Sequence, residues 1–120
     1  MTTTKQIGDQ AEQFALTHLQ QAGLVLIDSN FLRPGGEIDL IMLDGETLVF
    51  AEVRYRKSAK FGSALESVNF QKQQRLIRTA SAYIQQSTIA YPAYRFDVIA
   101  IEPNNNSFNI NWVKDAFQLN

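Results

Sequence analysis

The feature that most constrains this fold is a pair of apolar segments, residues 37–43 and 46–55, separated by the dipeptide Asp44-Gly45. Both segments are rich in Ile, Leu, Val and Phe, which favour β-strands. Asp-Gly is typical of a two-residue turn, because both central residues of such a turn need a positive φ. The sequence therefore predicts a β-hairpin whose strands are largely buried.

The segments around the hairpin predict a mixed α/β domain. Apolar residues at helical spacing indicate helices over residues 5–22 and 70–86, while residues 57–67 are predicted to form a loop. Further candidate strands cover residues 24–32, 94–101 and 108–113. The order helix, three strands, helix, two strands predicts an α/β fold in which helices pack on a mixed sheet, with residues 1–120 forming one domain.

Composition and chain-end patterns exclude several classes of protein. The sequence contains no cysteine, so a disulfide framework and a thiolate zinc site are both excluded. The first residues lack the apolar stretch of a secretory signal, and no apolar run approaches the ~20 residues of a transmembrane helix. We therefore expect a cytoplasmic protein with no membrane partner. The net charge of −1 argues against a generally basic nucleic-acid binder.

Three acidic residues, Glu37, Asp39 and Glu52, lie within the apolar strands of the hairpin. If Asp44 and Gly45 are the turn residues, Asp39 and Glu52 are diagonal neighbours on one face, with Cα atoms roughly 7–8 Å apart. Glu37 would then lie directly opposite Glu52 on that face.

This crowding of acids has two explanations. A buried carboxylate is costly unless it is paired or bound to a metal, and hard oxygen ligands suit Mg²⁺ or Mn²⁺. One explanation is therefore a divalent cation held between Asp39 and Glu52. The alternative is a solvated face on which the acids pair with Arg33, Arg54 or Arg56.

Longer motifs resemble the YraN family of small bacterial proteins. They are Gly36-Glu37-Ile38-Asp39-Leu40-Ile41, Val49-Phe50-Ala51-Glu52-Val53-Arg54-Tyr55-Arg56 and Arg95-Phe96-Asp97-Val98. The resemblance covers nearly the whole chain, in order and with matching spacings. That family is similar to the restriction-endonuclease-like superfamily, which includes archaeal Holliday-junction resolvases. The superfamily has a mixed sheet flanked by helices, with an acid on one strand, [DE]-x-K on the next and often a Glu on the first helix.

The resemblance implies a metal-dependent nuclease site. If the superfamily motif is applied to this sequence, Asp39 and Glu52 would be the two strand acids and Glu12 the helical acid. All three would hold Mg²⁺ or Mn²⁺. Arg54 stands where the motif has Lys, and it would complete the catalytic set. Arginine stays protonated and is a poor general base, but it can hold a phosphate through two hydrogen bonds. Residues that could substitute for the motif Lys are Lys57, Lys60 and Lys72.

A basic segment follows the second motif strand. Between Arg54 and Arg78 there are seven basic residues and one acid, Glu66. Such a segment would bind a phosphate backbone without reading its sequence. The predicted nucleic-acid-binding residues are Arg56, Lys57, Lys60, Lys72, Arg75 and Arg78. The alternative is a solvated helix face plus a flexible loop. On the nucleic-acid-binding interpretation, Phe61 and Gly62 would mark a mobile loop that becomes ordered on substrate.

Three functions remain open on the sequence alone. The first is a metal-dependent nuclease acting on DNA, with branched, recombination or repair intermediates as implied substrates and a homodimer expected if junctions are cut. The second is a non-catalytic nucleic-acid-binding module that keeps the fold. The third is a protein-interaction domain whose acids only form ion pairs. Asp97 is predicted to be structural, through pairing with Arg95.

Overall fold

The computed structural model of the chain describes residues 3–57 and 64–118, which form a five-stranded sheet with helices on both faces. In chain order the elements are α1 (Thr4–Gln21), β1 (Val25–Arg33), β2 (Gly36–Asp44), β3 (Thr47–Tyr55), α2 (Ala64–Ser67), α3 (Phe70–Gln86), β4 (Ala93–Asn104) and β5 (Ser107–Phe117). The strands lie in the order β1-β2-β3-β4-β5. Strands β3 and β4 are parallel, and the other neighbours are antiparallel.

This arrangement confirms the predicted α/β fold, in which helices flank a mixed sheet. The structure adds a one-turn helix, α2, in a segment that was predicted to be a loop. Within the described residues, no helix is both long enough and apolar enough to cross a membrane.

Two apolar cores lie on the two faces of the sheet. On one face α1 buries Ala11, Ala15 and Leu19, and on the other α3 buries Leu76 and Ala80. The central strands are therefore covered on both sides. A strand covered on both faces has a continuous apolar sequence instead of an alternating one, which explains the long apolar runs of the hairpin.

Helix α3 begins at a side-chain cap that fixes the place of Lys72. The backbone N–H of Lys72 donates to Oδ1 of Asn69, the N-cap residue, at 2.9 Å. An N-cap satisfies one of the free N–H groups of the first turn and determines where the helix starts. Lys72 consequently lies in the first turn of α3, at the end that meets the sheet near β3.

The hairpin turn differs from the prediction. Asp44 pairs with Thr47, so the two turn residues are Gly45 and Glu46 and not Asp44 and Gly45. Gly45 has a φ of 61°, while Asp44 stays in the strand. The Asp44 carboxylate accepts a hydrogen bond from Nη1 of Arg95 at 2.8 Å, and this contact with β4 holds Asp44 in the sheet.

The corrected turn moves the register of β2 against β3 by two residues. The ladder ends at Leu40 and Ala51, which brings Asp39 level with Glu52 and not diagonal to it. A shift of two residues preserves the face on which each side chain of a regular strand lies. Glu37 is not opposite Glu52, because this register places Glu37 two residues beyond the position level with Glu52.

Asp97 links β5 to β4 through hydrogen bonds to its side chain. Its side chain is fully buried and accepts four hydrogen bonds: two from Arg95, one from Nε1 of Trp112 and one from the backbone N–H of Asp115, at 2.9–3.0 Å. These bonds satisfy a buried carboxylate that would otherwise be costly. The predicted structural pairing of Asp97 with Arg95 is confirmed.

The turn between β1 and β2 packs against α3 through Gly36. A Cβ atom at Gly36 would lie 2.1 Å from Oγ1 of Thr79 and 3.4 Å from the carbonyl oxygen of Arg75. Thr79 is buried, and its hydroxyl donates to that same carbonyl at 2.8 Å. The close approach therefore depends on the absence of a side chain at residue 36.

We expect Gly36→Ala to lower the free energy of unfolding by about 1–3 kcal/mol, because the added methyl overpacks the contact with Thr79. Gly8→Ala is the matched control, since Gly8 is exposed on α1 and no described atom lies within 4 Å of its would-be Cβ. That control should gain roughly 0.5–1 kcal/mol from helix propensity. Urea denaturation measures both values, and equal effects of the two substitutions would contradict this packing.

Candidate metal centre

Strands β2 and β3 separate at Asp39 and Glu52. Beyond the last pair of their ladder, β2 continues against β1 and β3 continues against β4. The backbone N–H of Val53, which follows the ladder, donates to Oδ2 of Asp39 at 2.8 Å. The carboxylate thus takes the place of a strand carbonyl and ends the pairing of the two strands.

The alternation of side chains also breaks at Asp39. Ile38 packs in the core under α3, whereas Leu40 packs in the core under α1. Residues two apart in a regular strand share a face, so the backbone changes direction at Asp39. Its carboxylate consequently lies at the boundary between the two faces of the sheet.

Glu52 and Glu37 lie on opposite faces. Ala51 and Val53 pack in the α1 core, which leaves Glu52 on the α3 face. Glu37 precedes Ile38, whose side chain lies on the α3 side, and therefore points toward α1. The prediction that Glu37 shares one face with Glu52 is wrong, because it assumed regular alternation through residue 39.

Asp39 and Glu52 form a buried acid pair. Glu52 is 5% exposed and Asp39 is half-buried. Burial, followed by the hydrogen bond to Glu52 and the repulsion from its charge, raises the pKa of Asp39 to about 9, although the bond from Val53 acts in the opposite direction. At neutral pH Asp39 therefore keeps its proton.

Lys72 supplies the positive charge at this pair. Its Nζ lies 3.0 Å from Oε2 of Glu52, and the side chains are 33% and 6% exposed. Oε2 is buried and receives no aligned hydrogen bond from the described residues, so the contact is an ion pair without hydrogen-bond geometry. A buried oxygen with a free lone pair can accept a further ligand.

The arginines predicted as alternative partners of the acids lie elsewhere. Nε of Arg54 donates to Oγ of Ser67 at 3.1 Å, and Arg33 donates to Gln86. Among the described residues, neither Arg54 nor Arg56 forms an ion pair with the acid pair. Lys72, in the first turn of α3, takes that place through its contact with Glu52.

Glu12 approaches the cluster from α1. Its Oε1 accepts a hydrogen bond from Nδ2 of Asn30 at 3.1 Å, and the same amide donates to Oε1 of Glu37 at 3.3 Å. Burial raises the pKa of Glu12, the bond from Asn30 opposes this, and the charges of Glu37 and Glu52 add to the rise. Glu12 is thus electrostatically coupled to the strand acids.

Asn30 is a site residue that pattern reasoning did not assign. It lies in β1 with a φ of 50°, a left-handed conformation that asparagine tolerates better than most residues. This conformation accompanies the contact of its amide with Glu12 and Glu37. The local sequence signal for this conformation is an asparagine within a strand pattern.

The acids partly meet the requirements of a metal site. Among the described residues, no three Asp, Glu or His side chains are arranged as a group that could hold a metal ion. What the structure provides is one pair of buried carboxylates, with Glu12 nearby and bound to Asn30. Carboxylate oxygens suit Mg²⁺ and Mn²⁺, and the free position on Oε2 of Glu52 fits an added cation.

The predicted nucleic-acid-binding residues fall into separate groups. Lys72 joins the acid pair, while Arg75 and Arg78 are exposed on α3. Arg56 and Lys57 follow the end of β3. Lys60, and the loop predicted around Phe61 and Gly62, lie outside the described residues.

The mixed sheet with helices on both faces, and the acid pair where β2 and β3 separate, define an α/β protein of the predicted fold. Sequence comparison identifies its family. Residues 11–101 match the Uncharacterised protein family UPF0102, and the chain belongs to that family. This confirms the resemblance to the YraN family, since the two names denote one family.

Bacterial relatives match over nearly their whole length. A UPF0102 protein of Pseudomonas syringae pathovar tomato is 50% identical over 123 residues, covering 97% of this chain and 95% of that protein. One of Vibrio campbellii is 48% identical, covering 93% and 92% respectively. One of Stutzerimonas stutzeri is 44% identical, covering 98% and 99%.

The proton held by Asp39 predicts how stability depends on pH. The native state keeps this proton above pH ~4, where an unfolded aspartate loses it, so the free energy of unfolding falls as pH rises toward the folded pKa. Asp39→Asn supplies a neutral group that still accepts from Val53. We expect it to be more stable than the wild type at about pH 8 in EDTA, by ~1 kcal/mol or more, with the gap closing toward pH ~4.

Urea denaturation across this pH range tests the expectation. The matched control is Glu46→Gln, which removes an exposed acid from the hairpin turn and should show a difference from the wild type that does not grow with pH. A destabilised Asp39→Asn, or a difference independent of pH, would contradict the raised pKa of Asp39.

Proposed function

We propose that this protein is a metal-dependent nuclease that hydrolyses phosphodiester bonds in DNA. The observation that carries the proposal is the buried Asp39–Glu52 pair at the point where β2 and β3 separate. Glu12 from α1 and Lys72 from α3 approach this pair from the two faces of the sheet. The chemistry of these residues supports the proposal.

Asp39 and Glu52 would hold Mg²⁺ or Mn²⁺, with Glu12 as a third carboxylate. When bound, such a cation lowers the pKa of a coordinated water and stabilises negative charge on a phosphate. Asp39 must release its proton to act as a ligand, which makes binding stronger as pH rises. The two carboxylates repel each other when both are ionised, and a divalent cation offsets that repulsion.

Lys72 is better placed than Arg54 to act beside the acids. Its ammonium contacts Glu52 at 3.0 Å, whereas the guanidinium of Arg54, at the motif position, donates to Ser67. Lys72 orients the Glu52 carboxylate and keeps a positive charge where a phosphate would enter. Arg54 is then not required to act as a general base, a role that arginine performs poorly. Its remaining N–H groups can contact a phosphate.

Cleavage assays test the activity directly. We expect the purified protein to cut duplex, single-stranded, flap or four-way-junction DNA in Mg²⁺ or Mn²⁺, and to be inactive in EDTA. Asp39→Asn and Glu52→Gln should lower the rate by about 100-fold or more, because each removes a carboxylate ligand. Absence of cleavage of all four substrates, or equal cleavage by Asp39→Asn, would overturn the proposal.

A second assay separates the roles of Lys72 and Arg54. We expect Lys72→Gln to lower the turnover number at least ~10-fold more than Arg54→Gln, because only Lys72 contacts an acid of the pair. The reverse order would assign the motif role to Arg54. Circular dichroism melting of both variants serves as the control for folding.

One observation favours a second candidate, a non-catalytic nucleic-acid-binding module. The acid pair is already partly satisfied by the proton on Asp39 and by Lys72, and the described residues contain no group of three metal ligands. This candidate expects DNA binding by the wild type and by Glu52→Gln alike, without cleavage by either. A junction-cutting enzyme would instead need two sites, and therefore a homodimer.

A further inference from the structure

A basic cleft of about 520 Å³ lies where the β1–β2 turn meets α3. Three arginines line it: Arg33 from the end of β1, and Arg75 and Arg78 from α3. The other polar side chains along it, such as Gln85 and Gln86, are neutral. Of the residues that the structure describes, none with an acidic side chain lines this cleft.

Arg33 is held in place within the cleft. Its Nη2 donates to Oε1 of Gln86 at 2.5 Å, and its guanidinium carbon lies 5.4 Å from the centre of the Phe31 ring. The contact of Gly36 with Thr79 fixes the turn that carries Arg33 against α3. A guanidinium fixed by such contacts loses less conformational entropy when it binds a ligand.

The other two guanidiniums have no counter-charge. Arg75 and Arg78 are exposed, and in the described part of the chain their side chains form no ion pair or hydrogen bond. Like charges that converge from two chain segments repel each other, and an anion between them offsets that repulsion. Arginine favours carboxylate and phosphate oxygens, which it binds through two parallel N–H groups.

The cleft and the acid pair are connected by α3. Lys72, at the acid pair, lies one helical turn before Arg75 and two turns before Arg78. A rise of 1.5 Å per residue separates Lys72 from Arg75 by roughly 4.5 Å and from Arg78 by roughly 9 Å along the axis. That length covers two to three phosphates at about 3.4 Å per phosphate along one B-DNA strand.

We infer that Arg33, Arg75 and Arg78 form a phosphate-binding cleft that holds the backbone of the substrate strand beside the acid pair. The inference rests on the proposed function for the class of its ligand, a nucleic-acid strand. The cleft contacts phosphates and presents no group that is placed to read bases, so it positions the strand without selecting its sequence.

The test compares two double variants with the same change in net charge. Arg33→Gln/Arg78→Gln alters the cleft, and Lys5→Gln/Lys114→Gln removes two exposed cations from α1 and β5. Fluorescence anisotropy with labelled single-stranded and duplex oligonucleotides, in EDTA and at several salt concentrations, measures affinity without cleavage. Circular dichroism melting confirms that each variant is folded.

We expect the arginine variant to bind at least ~10-fold more weakly at about 0.1 M salt, and the lysine variant to change by less than ~2-fold. The slope of log affinity against log salt for the single strand should fall by roughly 1.4 in the arginine variant, since each lost phosphate contact removes about 0.7. Equal losses in the two variants, or no loss in the arginine variant, would overturn the inference.

Cleavage assays in Mg²⁺ and binding to vesicles of anionic lipid, measured on the same variants, distinguish this inference from the proposed function. Selective loss of binding in the arginine variant, with no metal-dependent cleavage by the wild type, supports the cleft and refutes the nuclease. Cleavage by the wild type that the arginine variant matches in rate and affinity refutes the cleft alone. Loss of binding to vesicles of anionic lipid, with oligonucleotide affinity unchanged, would assign the cleft to a membrane surface and also overturn the inference.

Discussion

The hydrogen bond from the Val53 N–H to the Asp39 carboxylate is the interaction on which the candidate site depends. Two antiparallel strands in the middle of a sheet normally pair along their whole length, and a side chain that accepts a ladder N–H ends that pairing. β2 then stays with β1 and β3 stays with β4, so a gap opens between β2 and β3 inside the sheet. The gap gives Glu52 and Asp39 a shared, largely buried space.

Burial makes it energetically costly to ionise both carboxyl groups in this space. Two ionised carboxylates in a low-dielectric environment repel strongly, and the structure reduces the cost because Asp39 keeps its proton and Lys72 contacts Glu52. A divalent cation would replace the proton as the balancing charge. Helices α1 and α3 border the same gap and bring Glu12 and Lys72 to it from opposite faces of the sheet. The basic cleft lies further along α3 from Lys72.

Much of the fold could be predicted from local patterns, because helical spacing and continuous apolar strands depend on neighbouring residues. The hairpin register could not, since Asp44 is held in its strand by Arg95, 51 residues away. The two strand acids were predictable from the motif and the hairpin together. The partnership of Glu52 with Lys72 was not, because it joins β3 to a helix 20 residues further along the chain. The separation of Glu37 from Glu52 arises from a break in alternation at Asp39.

The central claim is that Asp39 and Glu52 together bind one divalent cation. Anomalous diffraction from crystals of the wild-type protein soaked in Mn²⁺ tests it without reference to any substrate. The account predicts one anomalous peak about 2.0–2.3 Å from a carboxylate oxygen of each residue, lost in Asp39→Asn crystals. A saturated soak with no peak between these two residues, or a peak that persists unchanged in Asp39→Asn, would contradict it.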